Sequence, residues 1–307
     1  MGKLIRVGTR KSHLAAWQAE QVRILLTQRG FTAEVCYIKS EGDIDKQTPL
    51  YEMGIQGIFT RALDTALLND QIDIAVHSMK DVPVQLPQDV VQCAVLKRGP
   101  VNDLLVFRGN NDFLSDSQNQ ASIATGSIRR KAQWLHKYPN ATIHNLRGNL
   151  NTRLKKLETE NWDAAIFAQA GLERINLRPE KSLVLDWMLP APGQGAIMVV
   201  CRDEDNYSLE ACGSFNDENT AICTRQERDF LRILEGGCST PIGALAEIEN
   251  NEIYFRGNIL SPDGSEKAEI EKILPLEMAF NSGKRAAEEL LLKGGQQIVD
   301  NISHAGK

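Results

Sequence analysis

The sequence predicts an α/β protein: two similar lobes with a cleft between them, followed by a small C-terminal α+β domain with a three-stranded antiparallel sheet. Three observations predict it. Through residues 1–215, short apolar runs alternate with amphipathic helical stretches, the rhythm of a mostly parallel sheet. The rhythm occurs twice with the same landmarks: IRVGTRKSHLAAWQ and ASIATGSIRRKAQW both pass from a strand through a threonine and a small or basic turn into a helix with a tryptophan. Past residue 215 the order changes to a helix, three alternating segments and a last helix.

In order, KLIRVGT reads as a strand and HLAAWQAEQVRILLTQRG as an amphipathic helix closed by Gly30. TAEVCYI is the next strand. KSEGDIDKQTPLYEMGIQG follows without periodicity, and loops of that length inside compact domains are usually functional. IFTRALDTALLN is a helix and IDIAVHS a strand. The second cycle starts near residue 100 with the strand ASIATGS and the helix SIRRKAQWLHKY; ATIHNL, NTRLKKLETE, DAAIFA and AGLERI continue it. APGQGAIMVVCR is then a strand crossing back to the first lobe. The expected division is residues 1–97 with 198–215, then 98–197, then 216–307. In the last of these, ENTAICTRQERDFLRILEGG is a helix ended by glycine, GALAEIE, EIYFRGNIL and EKAEIEKIL form the sheet, and PLEMAFNSGKRAAEELLLKGG is the final helix.

The 307 residues are 42% hydrophobic and 24% charged, an ordinary soluble composition, with room for two or three domains. A net charge of −5 rules out a nucleic-acid or membrane footprint over the whole surface, so any basic site must be local. No apolar run is long enough to cross a bilayer. MGKLIRVGTRKS lacks the apolar stretch of a secretory signal, and Arg6 stands where a myristoylation signal needs serine or threonine, so a cytoplasmic location is expected. None of the six cysteines forms a C-x-x-C pair, and neither a structural zinc site nor disulfides are expected. Cys36, Cys93 and Cys201 lie in strand-like apolar runs and read as small core residues. There is no Walker loop, no G-x-G-x-x-G and no H-E-x-x-H, and the five histidines are scattered, so neither a nucleotide nor a metal is indicated.

Local charge is the informative feature. The positive end of a helix dipole favours acidic residues in the first turn. Two helices here reverse that rule: Arg10 and Lys11 precede the first, and Arg129 and Arg130 open another, behind Thr125, Gly126 and Ser127. Dipole, backbone N–H groups and side chains then add into one anion site. Arg147, Arg153 and Arg174 stand at comparable ends of strands or helices, where open α/β sheets bind ligands. Guanidinium suits paired recognition of carboxylate or phosphate, so a ligand with several anionic groups is expected. In HSMKDVP, Lys80 and Asp81 follow a strand, and Pro83 fixes the turn. Asp81 in a positive cleft would be ionised, able to stabilise a cation or move a proton, although taken alone a turn-forming aspartate is the simpler reading. His77 could act as a base but fits a structural histidine better. In LEGGCSTPIGA, two glycines leave Cys238 bare on a turn, as covalent chemistry would require, while a loop cysteine without a role remains the simpler reading.

Together VGTRKS, AVHSMKDVP, TGSIRRKAQ, LRGNLNTRL, AGLERI, APGQGA and LEGGCSTPIG, in this order, resemble the porphobilinogen deaminase (hydroxymethylbilane synthase) family over essentially the whole chain. The resemblance implies two domains like type II periplasmic binding proteins, and a dipyrromethane cofactor held through a thioether on Cys238. It implies a transferase that joins four porphobilinogen molecules head to tail, releasing four ammonias and then hydroxymethylbilane, with the cofactor as a retained primer. Asp81 would be the catalytic aspartate. Thr125, Ser127, Arg129, Arg130 and Lys80 would hold the cofactor. Arg10, Ser12, Arg147, Arg153, Arg174 and Gln194 would handle substrate and the growing chain, with Phe59 near its end and the long loop as a lid. A monomer is implied, with porphobilinogen as small-molecule partner, uroporphyrinogen-III synthase downstream, and neither nucleic acid nor membrane.

The sequence departs from the family pattern at Ile55-Gln56-Gly57, where a lysine is common, at His13, where proline is common, and at Gly126, where serine or alanine is common. A non-enzymatic two-lobed anion- or pyrrole-binding protein is the rival reading. It accounts for the arginines but not for Cys238 or the third domain.

Overall fold

A computed structural model describes residues 2–39, 60–234 and 240–305. The first lobe contains β1 (Ile5–Thr9), α1 (His13–Gln28), β2 (Ala33–Tyr37), α2 (Arg61–Leu68), β3 (Ile74–Ser78) and β4 (Val90–Val95). The second contains β5 (Asp103–Phe107), β6 (Ser122–Ala124), α3 (Ile128–Lys137), β7 (Thr142–His144), α4 (Leu150–Thr159), β8 (Ala164–Ala168), α5 (Gln169–Arg174) and β9 (Ser182–Leu185). The chain then returns through β10 (Ile197–Arg202) and α6 (Asn206–Gly213). The C-terminal part is α7 (Glu218–Ile233), β11 (Ile242–Glu249), β12 (Glu252–Leu260), β13 (Lys267–Pro275), α8 (Ser282–Leu290) and α9 (Gln296–Ala305).

The two large sheets share one topology. Their orders are β2-β1-β3-β10-β4 and β7-β6-β8-β5-β9. In each, three parallel strands lead to a fourth that runs antiparallel to both its neighbours. That fourth strand is what ties the lobes together. β10 enters the first sheet only after the second lobe is complete, and β5 enters the second sheet directly after β4. The chain therefore crosses between lobes twice, and the crossings lie side by side: Gly99 N–H donates to Gly195 O at 3.0 Å. A Cβ on Gly195 would stand 2.7 Å from Gly99 O, and its φ is +84°, so this close approach needs glycine.

Side-chain caps start the helices where the sequence changes character. Ser12 Oγ accepts from Ala15 N–H at the head of α1, Ser127 Oγ from Arg130 N–H at α3, and Asn149 Oδ1 from Thr152 N–H at α4. Each sheet is covered on both faces. In the first lobe, Ile5, Val7, Ile74 and Val199 pack with α1 and α6, while Ala75, Met198 and Val200 pack with α2. In the second, Ile123, Ile166 and Trp134 fill one side and Leu104, Phe167 and Leu172 the other. The third sheet is antiparallel in the order β11-β12-β13, with Phe230 of α7 and Ala286 and Leu290 of α8 on its apolar face.

Two expectations change. The final helix does not run from residue 275 to 295: α8 starts at Ser282 after a left-handed Asn281 (φ 61°), and α9 follows a break at Gly294 (φ 104°). The strand-like run around Cys93 is β4, and strands β5 and β9 and helix α6 join the elements read from the pattern. Among the described residues, no helix is long and apolar enough to cross a membrane.

Candidate functional site

The site lies where the carboxyl end of β3, the amino end of α3 and the two crossings meet. Its centre is a residue that the sequence pattern did not single out. Asp103, the first residue of β5, is fully buried. Its Oδ2 accepts from Arg129 Nη2 at 2.7 Å. Its Oδ1 accepts from Arg130 Nη2 at 2.7 Å, Arg130 Nε at 3.1 Å and Gln194 Nε2 at 2.9 Å. Burial alone would raise the carboxyl's pKa, but the two guanidiniums hold it well below the usual carboxylate range. Arg129 and Arg130 are themselves buried rather than splayed into open solvent. Arg129 Nη1 donates to Leu189 O at 2.7 Å and Arg130 Nη1 to Ile166 O at 3.0 Å. Arg129 Nε is buried without a hydrogen-bond partner among the described residues.

Gln194 links this pair to the first lobe. Its Oε1 accepts from Lys80 Nζ at 3.2 Å, and its Nε2 also donates to Val101 O at 2.7 Å. Lys80 is half-buried, and desolvation together with the charges of Arg130 and Arg129 pushes its ammonium down to about 8, against the pull of Asp81 and Asp103. Asp81 ends a short 3-10 turn, Met79–Asp81, whose Met79 is buried and donates its N–H to Ala196 O at 3.1 Å. The side chain of Asp81 is exposed. Its charge also reaches Arg153 of α4, across the cleft. Burial and the charges of Arg130 and Arg147 push Arg153 down to about 10 in spite of Asp81, and its Nε donates to Gly148 O at 2.7 Å. Among the described residues, these interactions set Lys80, Arg129, Arg130 and Arg153 against Asp81 and Asp103, more cations than carboxylates. Such a cluster is destabilised until an anion enters.

Other expected residues fall elsewhere. Thr125 is buried, and its Oγ1 accepts from Ser127 N–H at 3.3 Å, which shapes the turn at the head of α3. A Cβ on Gly126 would lie 2.5 Å from Leu146 O, so the serine or alanine common in the family does not fit this backbone. Arg174 is tied to a crossing: its Nη2 donates to Gly195 O at 2.7 Å and its guanidinium stands over the Trp17 ring at 5.8 Å. Burial pushes it down to about 10. Arg10 is half-buried and its charge, after burial, helps push His77 down to about 4, so His77 is neutral at physiological pH. Cys238, Phe59 and the expected lid lie outside the described residues.

Sequence reasoning also missed a second buried carboxylate, Glu227 of α7. It takes Arg98 Nη1 and Nη2 at 2.6 and 2.9 Å, Gly193 N–H at 2.7 Å and Ala246 N–H at 2.8 Å. Arg98 in turn donates from Nε to Gln194 O at 2.9 Å. One carboxylate thus joins both crossings to the third sheet. The signal available was slight: an arginine before Gly99-Pro100 and one glutamate in a charged helix.

The family description "Porphobilinogen deaminase, dipyromethane cofactor binding domain" matches residues 5–210, and "Porphobilinogen deaminase, C-terminal domain" matches residues 221–292. A porphobilinogen deaminase of Campylobacter curvus is 39% identical over 304 residues, covering 97% of each chain. A probable porphobilinogen deaminase of Methanocella arvoryzae is 38% identical over 297 residues, covering 96% of this chain and 97% of its own. One of Chlorobium phaeobacteroides is 37% identical over 311 residues, covering 98% and 99%. Among solved structures, an ancestral cationic amino acid solute binding protein aligns with 69% of this chain and 87% of its own, at 13% identity and a TM-score of 0.45, a likeness too slight to carry a conclusion.

Proposed function

The chain belongs to the porphobilinogen deaminase family, and from that membership we propose how its own residues divide the work. The reaction joins four porphobilinogen molecules head to tail with loss of four ammonias, giving hydroxymethylbilane for tetrapyrrole synthesis. The rival reading, a non-enzymatic binding protein, is not favoured, because both domains of the enzyme family match.

One observation supports the residue assignment above others: the excess of positive charge around Asp103, facing Asp81 from the opposite lobe. The family's dipyrromethane carries an acetate and a propionate on each of two rings. Those carboxylates suit a cluster in which cations outnumber carboxylates, and among the described residues Arg129 Nε is a buried donor without an acceptor. When bound through Cys238, the dipyrromethane supplies the terminal pyrrole carbon to which the first substrate ring is joined. Arg129, Arg130, Ser127, Thr125 and Lys80 hold its carboxylates, with Asp103 fixing both guanidiniums in advance. Arg153 and Arg147 take the carboxylates of incoming substrate, and Arg10, Ser12, Arg174, Gln194 and Phe59 complete that path. Gln194 acts through Lys80 and Asp103. Ser12 acts by shaping the head of α1.

Asp81 is assigned the chemistry. Its carboxylate opposes the positive charge that develops on the substrate's methylene as ammonia leaves, and it exchanges a proton with the leaving amine. His77, neutral and buried, is assigned no proton transfer. The same reading divides the chain into residues 1–97 with 198–215, 98–197, and 216–307, which the membership of the three sheets supports. It also takes the protein as a cytoplasmic monomer.

The test is Asp81→Asn, with cofactor loading checked by intact mass. Losing one preorganised charged group lowers turnover about 100- to 1000-fold. Turnover within tenfold of the parent would remove Asp81 from the chemistry.

A further inference from the structure

Arg228 of α7 is buried, and both terminal nitrogens of its guanidinium donate to the backbone that follows Asp81. Nη1 donates to Val82 O at 3.1 Å, and Nη2 donates to Pro83 O at 2.6 Å and Val84 O at 3.1 Å. No carboxylate forms an ion pair with it among the described residues; only Asp229, next in the chain, offsets its charge. Burial, with the like charge of Arg232 beside it, pushes it down to about 10. A buried cation neutralised by carbonyl dipoles is a costly way to hold a loop. What it provides is geometry: a planar fork reaches three consecutive carbonyls at once, as no lysine or amide can.

The helix carrying Arg228 is tied down by the two residues before it. Gln226 Oε1 accepts from Ser282 Oγ and Gly283 N–H of α8, each at 3.1 Å. Glu227 fixes the same turn to both crossings and to β11. Three successive residues thus bind α8, the crossings and the Asp81 turn. α7 ends at Ile233 and leads into the stretch that contains Cys238. We propose that Arg228 is a positioning residue: it sets where the Asp81 carboxylate stands relative to α7 and the crossings between the lobes. The proposal rests on the catalytic reading of Asp81 given above. A displacement of about 1 Å in a reacting group is enough to lower a rate on the order of 100-fold.

The experiment measures kcat and KM for Arg228→Gln and Arg228→Lys, purified with the cofactor attached and normalised to the loaded fraction by intact mass. We expect kcat to fall about 10- to 100-fold for the glutamine variant, with KM changed by less than about threefold, and the lysine variant to lie between it and the parent. Placed on Asp81→Asn, Arg228→Gln should cause little further loss, because it acts through that carboxylate. Two results overturn the proposal: a loaded Arg228→Gln enzyme with parental kcat and only a lowered melting temperature, or a full additional loss on top of Asp81→Asn. If glutamine prevents folding, the lysine variant decides by the same criteria. Parental activity in Asp81→Asn alone identifies the separate failure of the catalytic reading, and the proposal falls with it.

Discussion

Replacing Asp103 with asparagine probes how the cation cluster is held before any carboxylate ligand arrives. Asparagine can keep an oxygen at the Oδ1 position, so Arg130 and Gln194 retain their acceptor. At the Oδ2 position an amide nitrogen then faces Arg129 Nη2, 2.7 Å away, donor against donor. The lost charge-assisted bond is worth about 1.5–3 kcal/mol. The substitution also deletes the charge that neutralises two buried guanidiniums, and removing one partner of a buried pair costs about 3–5 kcal/mol. The two losses overlap, so about 3–5 kcal/mol is the expected total. The assay is urea unfolding in a Cys238→Ser background, which lacks the covalent cofactor. In the cofactor-loaded protein the deficit should shrink, because ligand carboxylates restore the missing charge. The pH dependence has a definite sign. Asp103 is held below its unfolded value, so its contribution is complete at neutral pH and lost as pH falls below about 4. Asp103→Asn should remove that part of the acid limb. Cofactor-free Asp103→Asn unfolding within about 0.5 kcal/mol of its parent would refute the reasoning.

The same geometry alters the expectation for the arginines themselves: Arg129→Leu or Arg130→Leu exposes a buried Asp103 to part of its desolvation cost, so melting temperature should fall along with cofactor loading. Lys80 at about 8 loses its charge as pH rises through that value, so apo-protein affinity for an oligopyrrole polycarboxylate should weaken above about pH 8; Lys80→Gln should abolish that step, and an unchanged profile would exclude Lys80 from binding. Its depressed pKa also means that the protonated amine penalises the fold below about 8 and that the penalty lifts toward about 10.4. Gly126→Ser should lower stability by about 1–3 kcal/mol through the clash with Leu146 O, measured by thermal melting. His77→Gln should leave the pH–rate profile between 6 and 8 unchanged; loss of a limb there would return His77 to the proton transfer.

Much of the architecture was legible because the periods are strong. EIYFRGNIL occupies β12 residue for residue, and the landmarks shared by the two halves correspond to equivalent positions in two sheets of one topology. β5 and β9 were not read, because DLLVF and SLVL are short runs with no alternation to count. The last helix was overextended because PLEMAF is apolar enough to continue it, while the left-handed Asn281 that ends the preceding turn has no periodic signature. In the site, the cations stood out by breaking the helix-dipole preference, which is a local rule. Asp103 and Glu227 did not, because each is a single carboxylate whose meaning depends on partners 19 to 129 residues away. Long-range neutralisation leaves no mark on local sequence.

The intact mass of the purified protein, taken with that of Cys238→Ser, tests the central claim most directly. The parent, from cells able to make porphobilinogen, should exceed the mass of its bare sequence by one dipyrromethane, carried on the peptide that contains Cys238. Cys238→Ser should fold and show only its own sequence mass, since a serine oxygen is a far weaker nucleophile than a thiolate. A parent mass equal to the bare sequence, or an adduct that persists in Cys238→Ser, would contradict it.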